Sequence, residues 1–403
     1  MNLQKIKRVN RIGVQKTLDF EVSHKDHNFY AEGIVVSNSH SVSTSLLTAL
    51  TVWCKYTHPL EFYLCCLNAS RNLPDTLGEI QSINAELHNF GIKLLPPHIL
   101  KSSLDFTIEG GNIRYGLSAI KGISEQTIEK LNSFRHPKST KFELFQSADE
   151  SKISIGVLST LLQAGALDDY YKQSRSRMVY ECQVWNELTD REKILVMPLG
   201  EQFDYDLIDI IIYLNTVAKT ETGKPMIKDS RYATIKKDTE KFKQIYAINS
   251  NSEKIASYEY EYRLLGFSYS ATLREIYGTA RLLSISQVNE CDENQNVKFV
   301  GRIMEVNEAL AKNKKTRFLK FLLKDERATC TVLVFNDEIE NVKNANGGEF
   351  EEGDVISVVG NKKKDCVFSS FIEKRTSQVY LKLGELRKYE KAQKKVDKNK
   401  EHA

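Results

Sequence analysis

The spacing of apolar residues changes twice along this chain, and no single layer of structure can satisfy all three patterns. Residues 5–11, 15–22 and 29–36 read as short strands, with a polar turn at 23–26 and a break at Gly33. From Val42 the apolar residues Leu46, Leu47, Leu50, Trp53 and Cys54 recur at three- and four-residue steps, the period of a helix. Pro59 interrupts that helix before residues 62–67 resume it. Alternation returns at 297–306, 317–323, 329–335, 354–360 and 367–371, with a helix-like 338–344 before the fourth segment. The patterns predict a multidomain α+β chain with a β-rich start, a helical middle and a β-barrel near the end.

At 403 residues the chain is too long for one ordinary core. Lys plus Arg number 57 against 53 Asp plus Glu, a balance of +4, so a polyanion-binding surface would have to be local. The seven cysteines show no CxxC spacing, which argues against a zinc site and against a disulfide framework. No apolar run approaches the roughly 20 residues of a membrane span, and the amino terminus has no secretory core. A cytoplasmic protein with no membrane partner is expected.

Two or three short strands cannot bury a core alone, so residues 1–38 read as an incomplete domain. The run D-H-N-F-Y-A-E-G-I-V-V-S-N over residues 26–38, followed by Ser39, resembles the C-terminal splicing motifs of the intein family. The size and the Met1 start resemble the separately translated C-terminal halves of split inteins. The resemblance implies that Ser39 supplies an acceptor oxygen and that the Asn38 amide cyclises onto its own carbonyl, releasing the intein. It makes His27 the proton-transfer residue, with Asp19 where the family often has an assisting carboxylate or thiol. Ser37 stands where the family frequently has a histidine. The implied partner is a chain carrying the amino-terminal intein half.

Residues 39–42, S-H-S-V, then Lys55 and H-P-L-E-F at 58–62, begin a second resemblance. G-I-K-L-L-P-P at 91–97, F-T at 106–107 and I-R-Y-G-L-S-A-I-K-G at 113–122 follow in the same order, and Y-R-L-L-G-F-S at 262–268 continues it. Together they resemble the C family of bacterial replicative DNA polymerases. The resemblance makes 39–115 part of the fingers and brings His40 and Lys55 near the incoming nucleotide or the template. Thr44 and Ala49 replace the usual aromatic residues. It also implies primer–template DNA, a sliding clamp and other replisome subunits as partners, in a bacterial or phage-infected cell. The palm carboxylates that hold Mg2+ would lie on the preceding polypeptide, so this part binds no cofactor or metal of its own. Asp204 and Asp206 are therefore not read as metal ligands. Residues 202–207 match the clamp-binding peptide poorly, and 186–255 carry no legible function.

Residues 116–290 read as a helix-hairpin-helix region. Lys121 and Gly122 form one Gly turn entering a helix, and Gly165 forms a second. Such turns offer helix N-terminal N–H groups to phosphate oxygens. Residues 291–385 read as a five-stranded OB barrel, whose first connection carries Lys312, Lys314, Lys315 and Arg317 and suits a single strand. Phe318 is read on balance as core. Residues 386–403 are charged and apolar-poor, and are expected to be disordered. The rival to a polymerase part is a stand-alone DNA-binding accessory protein with an inert intein remnant.

Overall fold

The computed structural model describes residues 28–31, 34–37, 40–278, 281–311 and 316–401. The fold divides after Phe62 into two compact units. In the first, β1 (Asn28–Ala31) and β2 (Ile34–Ser37) pair antiparallel, Asn28 opposite Ser37 and Ala31 opposite Ile34. The strand segment read over 29–36 with a break at Gly33 is two strands, one on either side of that break. Helix α1 (His40–Thr57) carries the apolar stripe foreseen from its spacing, and Leu46, Leu47, Leu50 and Trp53 on it are all more than half exposed. Pro59 opens α2 (Pro59–Ser70), a first-turn position where its missing N–H costs nothing.

The second unit begins at Tyr63 within α2 and continues with α3 (Thr76–Leu87), whose first turn is capped by Asp75 accepting from Gly78 N at 3.0 Å. Short strands β3 (Leu94–Leu95), β4 (Thr107–Glu109) and β5 (Asn112–Arg114) form a sheet with β5 in the centre. After β5, the buried Tyr115 hydroxyl donates towards Ala119 O and Leu265 O at 3.2 and 3.1 Å, fastening the following turn to a helix 150 residues away. Then come α4 (Glu125–Phe134), α5 (Lys141–Glu150), α6 (Ile155–Gln163) and α7 (Arg175–Glu187). Phe134, Phe142, Phe145 and Trp185 are buried, with Phe142 stacked on Trp185 at 5.8 Å. The stretch 186–255 folds as α8 (Asp190–Val196), α9 (Leu207–Thr216), α10 (Asp229–Asn249) and the start of α11 (Glu253–Leu265). The apolar run at 207–214 lies on α9, where Leu207, Ile210, Ile211 and Leu214 form the buried side.

Two short capped helices, α12 (Leu273–Ile276) and α13 (Ile285–Glu290), lead into the barrel. Its strands are β6 (Asn296–Leu310), β7 (Arg317–Lys324), β8 (Thr329–Phe335), β9 (Val355–Lys362) and β10 (Cys366–Lys374), with α14 (Asp337–Ala345) between β8 and β9. The sheet closes in the order β10-β8-β7-β6-β9, the β8–β10 pair being parallel and the other pairs antiparallel. Phe299, Phe321, Val332, Val358 and Val367 fill the interior. Ile285 and Val288 of α13 join that core, so the barrel's packing starts ahead of residue 291. Each such buried side chain stabilises by about 1.5–3 kcal/mol relative to exposure.

Residues 386–403 do not follow the expectation of disorder: α15 (Leu383–Glu401) covers most of them. Leu383, Leu386 and Tyr389 recur at three-residue steps, and the first two pack with Ile245 and Tyr380. Asn249 holds the approach to this helix, accepting from Tyr380 N at 3.0 Å and donating to Tyr380 O at 2.8 Å. The low apolar content hid a short stripe that is enough to dock one end.

Candidate nucleic-acid interface

The turn before α4 is forced by its residues. Ile120 and Ile123 are buried, Gly122 sits at φ +100°, and Lys121 N donates to Leu264 O at 3.0 Å. A β-carbon at that φ would be strained, which is why glycine is there. Lys121 and Gly122 are exposed, and among the described residues nothing accepts the N–H of Gly122 or Ser124. Ser124 makes no cap for α4, its hydroxyl lying 2.9 Å from that of Thr127. An open groove of about 430 Å³ beside the turn is walled by Arg71, Asp75, Lys121 and Gly122. Free N–H groups at a helix start, an exposed ammonium and a groove form a phosphate-accepting arrangement.

Gly165 also has a positive φ, +76°, but its surroundings are closed. Its N–H donates to Leu162 O and that of Ala166 to Leu161 O, at 3.1 and 3.0 Å. A β-carbon on Gly165 would come within 1.9 Å of Tyr269 Oη and 2.5 Å of Arg175 Nη2. Arg175 is buried and donates to Glu261 Oε1 at 2.6 Å, Asp168 Oδ2 at 2.5 Å and Tyr269 Oη at 2.8 Å. The fully buried Glu261 also accepts from Ser268 Oγ, Tyr269 N and Ser270 N at 2.7–3.0 Å. The second turn is a packing joint. Lys138, between α4 and α5, is likewise turned inward: its ammonium donates to Phe134 O and His136 O, and burial pushes its pKa down to about 8.

On the barrel, alternation sends Leu319, Phe321 and Leu323 inward, so Phe318 faces outward and is half-buried, not core. It pairs across the ladder with Phe335, whose ring meets that of Phe368 edge-on at 4.9 Å. Phe368 and Phe371 on β10 are 38% and 55% exposed. The Lys363 ammonium lies 5.7 Å from the Phe368 ring centre, and the buried Lys362 shapes this loop by donating to the carbonyls of Lys363 and Lys364 at 2.8 and 3.0 Å. Three phenylalanines from adjacent strands thus form an outward row beside cationic side chains. Sequence reading missed Phe335, Phe368, Phe371, Lys363 and Lys364. The signal was there: Cys330, Val332 and Val334 fix which positions of β8 face in, leaving Phe335 out, and three lysines at 362–364 stand just ahead of Asp365 and β10.

Lys312, Lys314 and Lys315 lie outside the described residues, as do Asp19, His27, Asn38 and Ser39. Of Ser37 and His40 the structure describes the backbone, in β2 and α1. Lys55 stands in the last turn of α1. Arg317 is held by the carboxylates of Glu308 and Glu340, the latter at 2.9 Å, which neutralises much of its charge. Asp206 caps α9, accepting from Ile208 N and Asp209 N at 3.0 Å, and pairs with Arg177. Among the described residues no three His, Cys, Asp or Glu side chains converge as metal ligands. No helix among them is long and apolar enough to cross a membrane.

The family model described as helix-hairpin-helix motif matches residues 91–178, taking in both Gly turns. Over longer stretches the chain is homologous to part of the DNA polymerase III alpha subunit. The Buchnera aphidicola subunit from the Acyrthosiphon pisum strain is 24% identical over 337 residues, 81% of this chain and 26% of the relative. That of Aquifex aeolicus is 34% identical over 148 residues, 36% of this chain and 12% of the relative. The chain thus spans about a quarter or less of the length of these relatives. Among solved structures, the second OB-fold domain of replication protein A from Methanococcus maripaludis aligns with 23% of this chain and 92% of its own, at 16% identity and a TM-score of 0.15.

Proposed function

We propose that this chain is the DNA-holding section of a bacterial-type replicative DNA polymerase, gripping duplex phosphates at the Gly122 turn and unpaired template at the barrel. The observation that carries the reading is the outward row of Phe318, Phe335 and Phe368 beside Lys363, on the strands of a small closed barrel. Base stacking on such rings is worth about 1–3 kcal/mol per base and tolerates any sequence. Homology to the alpha subunit supports template-directed synthesis as the activity of the assembled enzyme, with primer–template DNA, a sliding clamp and other replisome subunits as partners. Its Mg2+ would be held by carboxylates of another part of the polymerase.

The finer part of the reading concerns assembly. Residues 26–39 support intein splicing at the Asn38–Ser39 bond, joining the polymerase sections in trans. The pairing of Asn28 with Ser37 supports it too, since these are the sequence neighbours of His27 and Asn38. The exposed stripe of α1, which directly follows Ser39, fits a helix that finishes its packing against the section to be joined.

Fluorescence anisotropy with a labelled oligo-dT strand tests the DNA-holding claim. Phe335→Ala/Phe368→Ala is expected to weaken binding at least tenfold, and unchanged binding would overturn the barrel assignment. Mixing with a polymerase chain that ends in an amino-terminal intein half is expected to give a ligated product in which Ser39 follows the junction. Ser39→Ala should prevent the branched ester, while Asn38→Ala should allow it and block its resolution.

A further inference from the structure

A second cavity, of about 420 Å³, lies along α6 and is closed on its other sides by α7, α10, α11 and the segment leading to α15. Its volume is in the range of small-molecule sites. One end is the start of α6, where the first-turn N–H groups of Ile155 and Gly156 have no intrahelical acceptor. A β-carbon at Gly156 would find no atom within 4 Å, so the backbone there is open to close approach. Gly122 reaches the same cavity from the hairpin turn.

The other end carries Gln163, only 1% exposed. Its Nε2 donates to Leu381 O at 2.9 Å, which fixes the amide's orientation, and no described residue donates to its Oε1. That leaves an acceptor on the cavity wall that can take a donor from a ligand. Between the two ends stand Phe242 and the parallel rings of Tyr180 and Tyr246, 5.5 Å apart. Of the residues lining the cavity none is a carboxylate, and Lys382 supplies the single cationic side chain. An anionic group is therefore favoured at one end, an aromatic plane in the middle and a hydrogen-bond donor at the other end.

We propose that this cavity takes one nucleotide, its phosphate at the first turn of α6 near Gly156, its base beside Tyr180 and Tyr246, and an exocyclic amino group donating to Gln163 Oε1. The nine residues of α6 span about 13 Å, a length that accommodates both ends of a mononucleotide. The same chemistry is met by a free nucleotide and by one nucleotide of a bound strand passing the Gly122 turn. The site is independent of the barrel, so its test can fail while the barrel reading stands, and the reverse.

Gly156→Val adds bulk to the cradle from a β-carbon that meets no atom within 4 Å. In the full chain, equilibrium dialysis with deoxyadenosine monophosphate and with inorganic phosphate reads the free ligand. A single strand carrying 2-aminopurine reads a base of bound DNA through its fluorescence. If the monophosphate binds, its affinity is expected to fall at least tenfold in Gly156→Val, with phosphate alone binding more weakly than the nucleotide. If it does not bind free, the 2-aminopurine signal of the bound strand is expected to change with Gly156→Val while Phe335→Ala/Phe368→Ala lowers only the overall affinity. Circular dichroism of the variant confirms the fold. Nucleotide and strand signals both indifferent to Gly156→Val would overturn the proposal.

Discussion

Gly122 and Gly165 look alike in sequence, each a glycine after a short apolar run, and each has a positive φ in the structure. Their surroundings differ in kind. Gly122 is exposed, its N–H is free of any described acceptor, and the nearest atom to an added β-carbon is Thr160 Oγ1 at 3.8 Å. Gly165 is packed under Arg175 and Tyr269, with both local N–H groups committed. A glycine turn becomes a ligand site only when the fold leaves its amides unspent, and here one turn faces outward while the other locks α6 to α7 and to the segment after α11.

The largest effect expected from this contrast is on stability. Gly165→Ala combines a strained φ with overlap on Tyr269 and Arg175, and should cost more than about 4 kcal/mol in urea unfolding. A small loss would mean that the second turn is looser than described. Arg175→Met removes the cation between Glu261 and Asp168 and leaves a fully buried carboxylate, for which about 3 kcal/mol is expected by the same measurement. Gly122→Ala should cost only about 1–2 kcal/mol, the strain of its φ, yet weaken duplex binding about tenfold. Lys121→Ala should lower the slope of log affinity against log salt by about 0.9, one phosphate contact, with stability unchanged.

The smallest effect concerns Lys138. Its folded pKa, about 8, lies below the ordinary 10.5, so between those values the unfolded chain holds more protons and stability rises with pH. The penalty is fully present below pH 8 and is relieved towards pH 10.5. Lys138→Met should flatten that rise in pH-dependent melting, and an unaltered slope would assign it to other groups.

Much of the fold was legible because period reports burial. The five barrel strands, the helix before the fourth and the break at Pro59 all stand within a few residues of where the spacing put them. What the sequence hid was direction and company. Phe318 was assigned inward although Leu319, Phe321 and Leu323 already occupy the inner positions of β7. The barrel's start was set too late, because Ile285 and Val288 contribute from a helix too short to show a period. The terminal helix escaped notice since three apolar residues, Leu383, Leu386 and Tyr389, suffice to dock it. No single-sequence pattern could have separated Gly122 from Gly165, because the difference lies in Arg175, Glu261 and Tyr269, which are distant in the chain.

The central claim, a division of labour between hairpin and barrel, is tested most directly by photo-crosslinking on one forked DNA. Benzoylphenylalanine placed at Lys121 in one sample and at Phe368 in another, each bound to the same primer–template with a long single-stranded overhang, reports which part of the DNA each position touches. The account predicts crosslinks from position 121 confined to the duplex and crosslinks from position 368 confined to the unpaired template. Crosslinks from both positions to the same segment, or from 368 to the duplex alone, would contradict it.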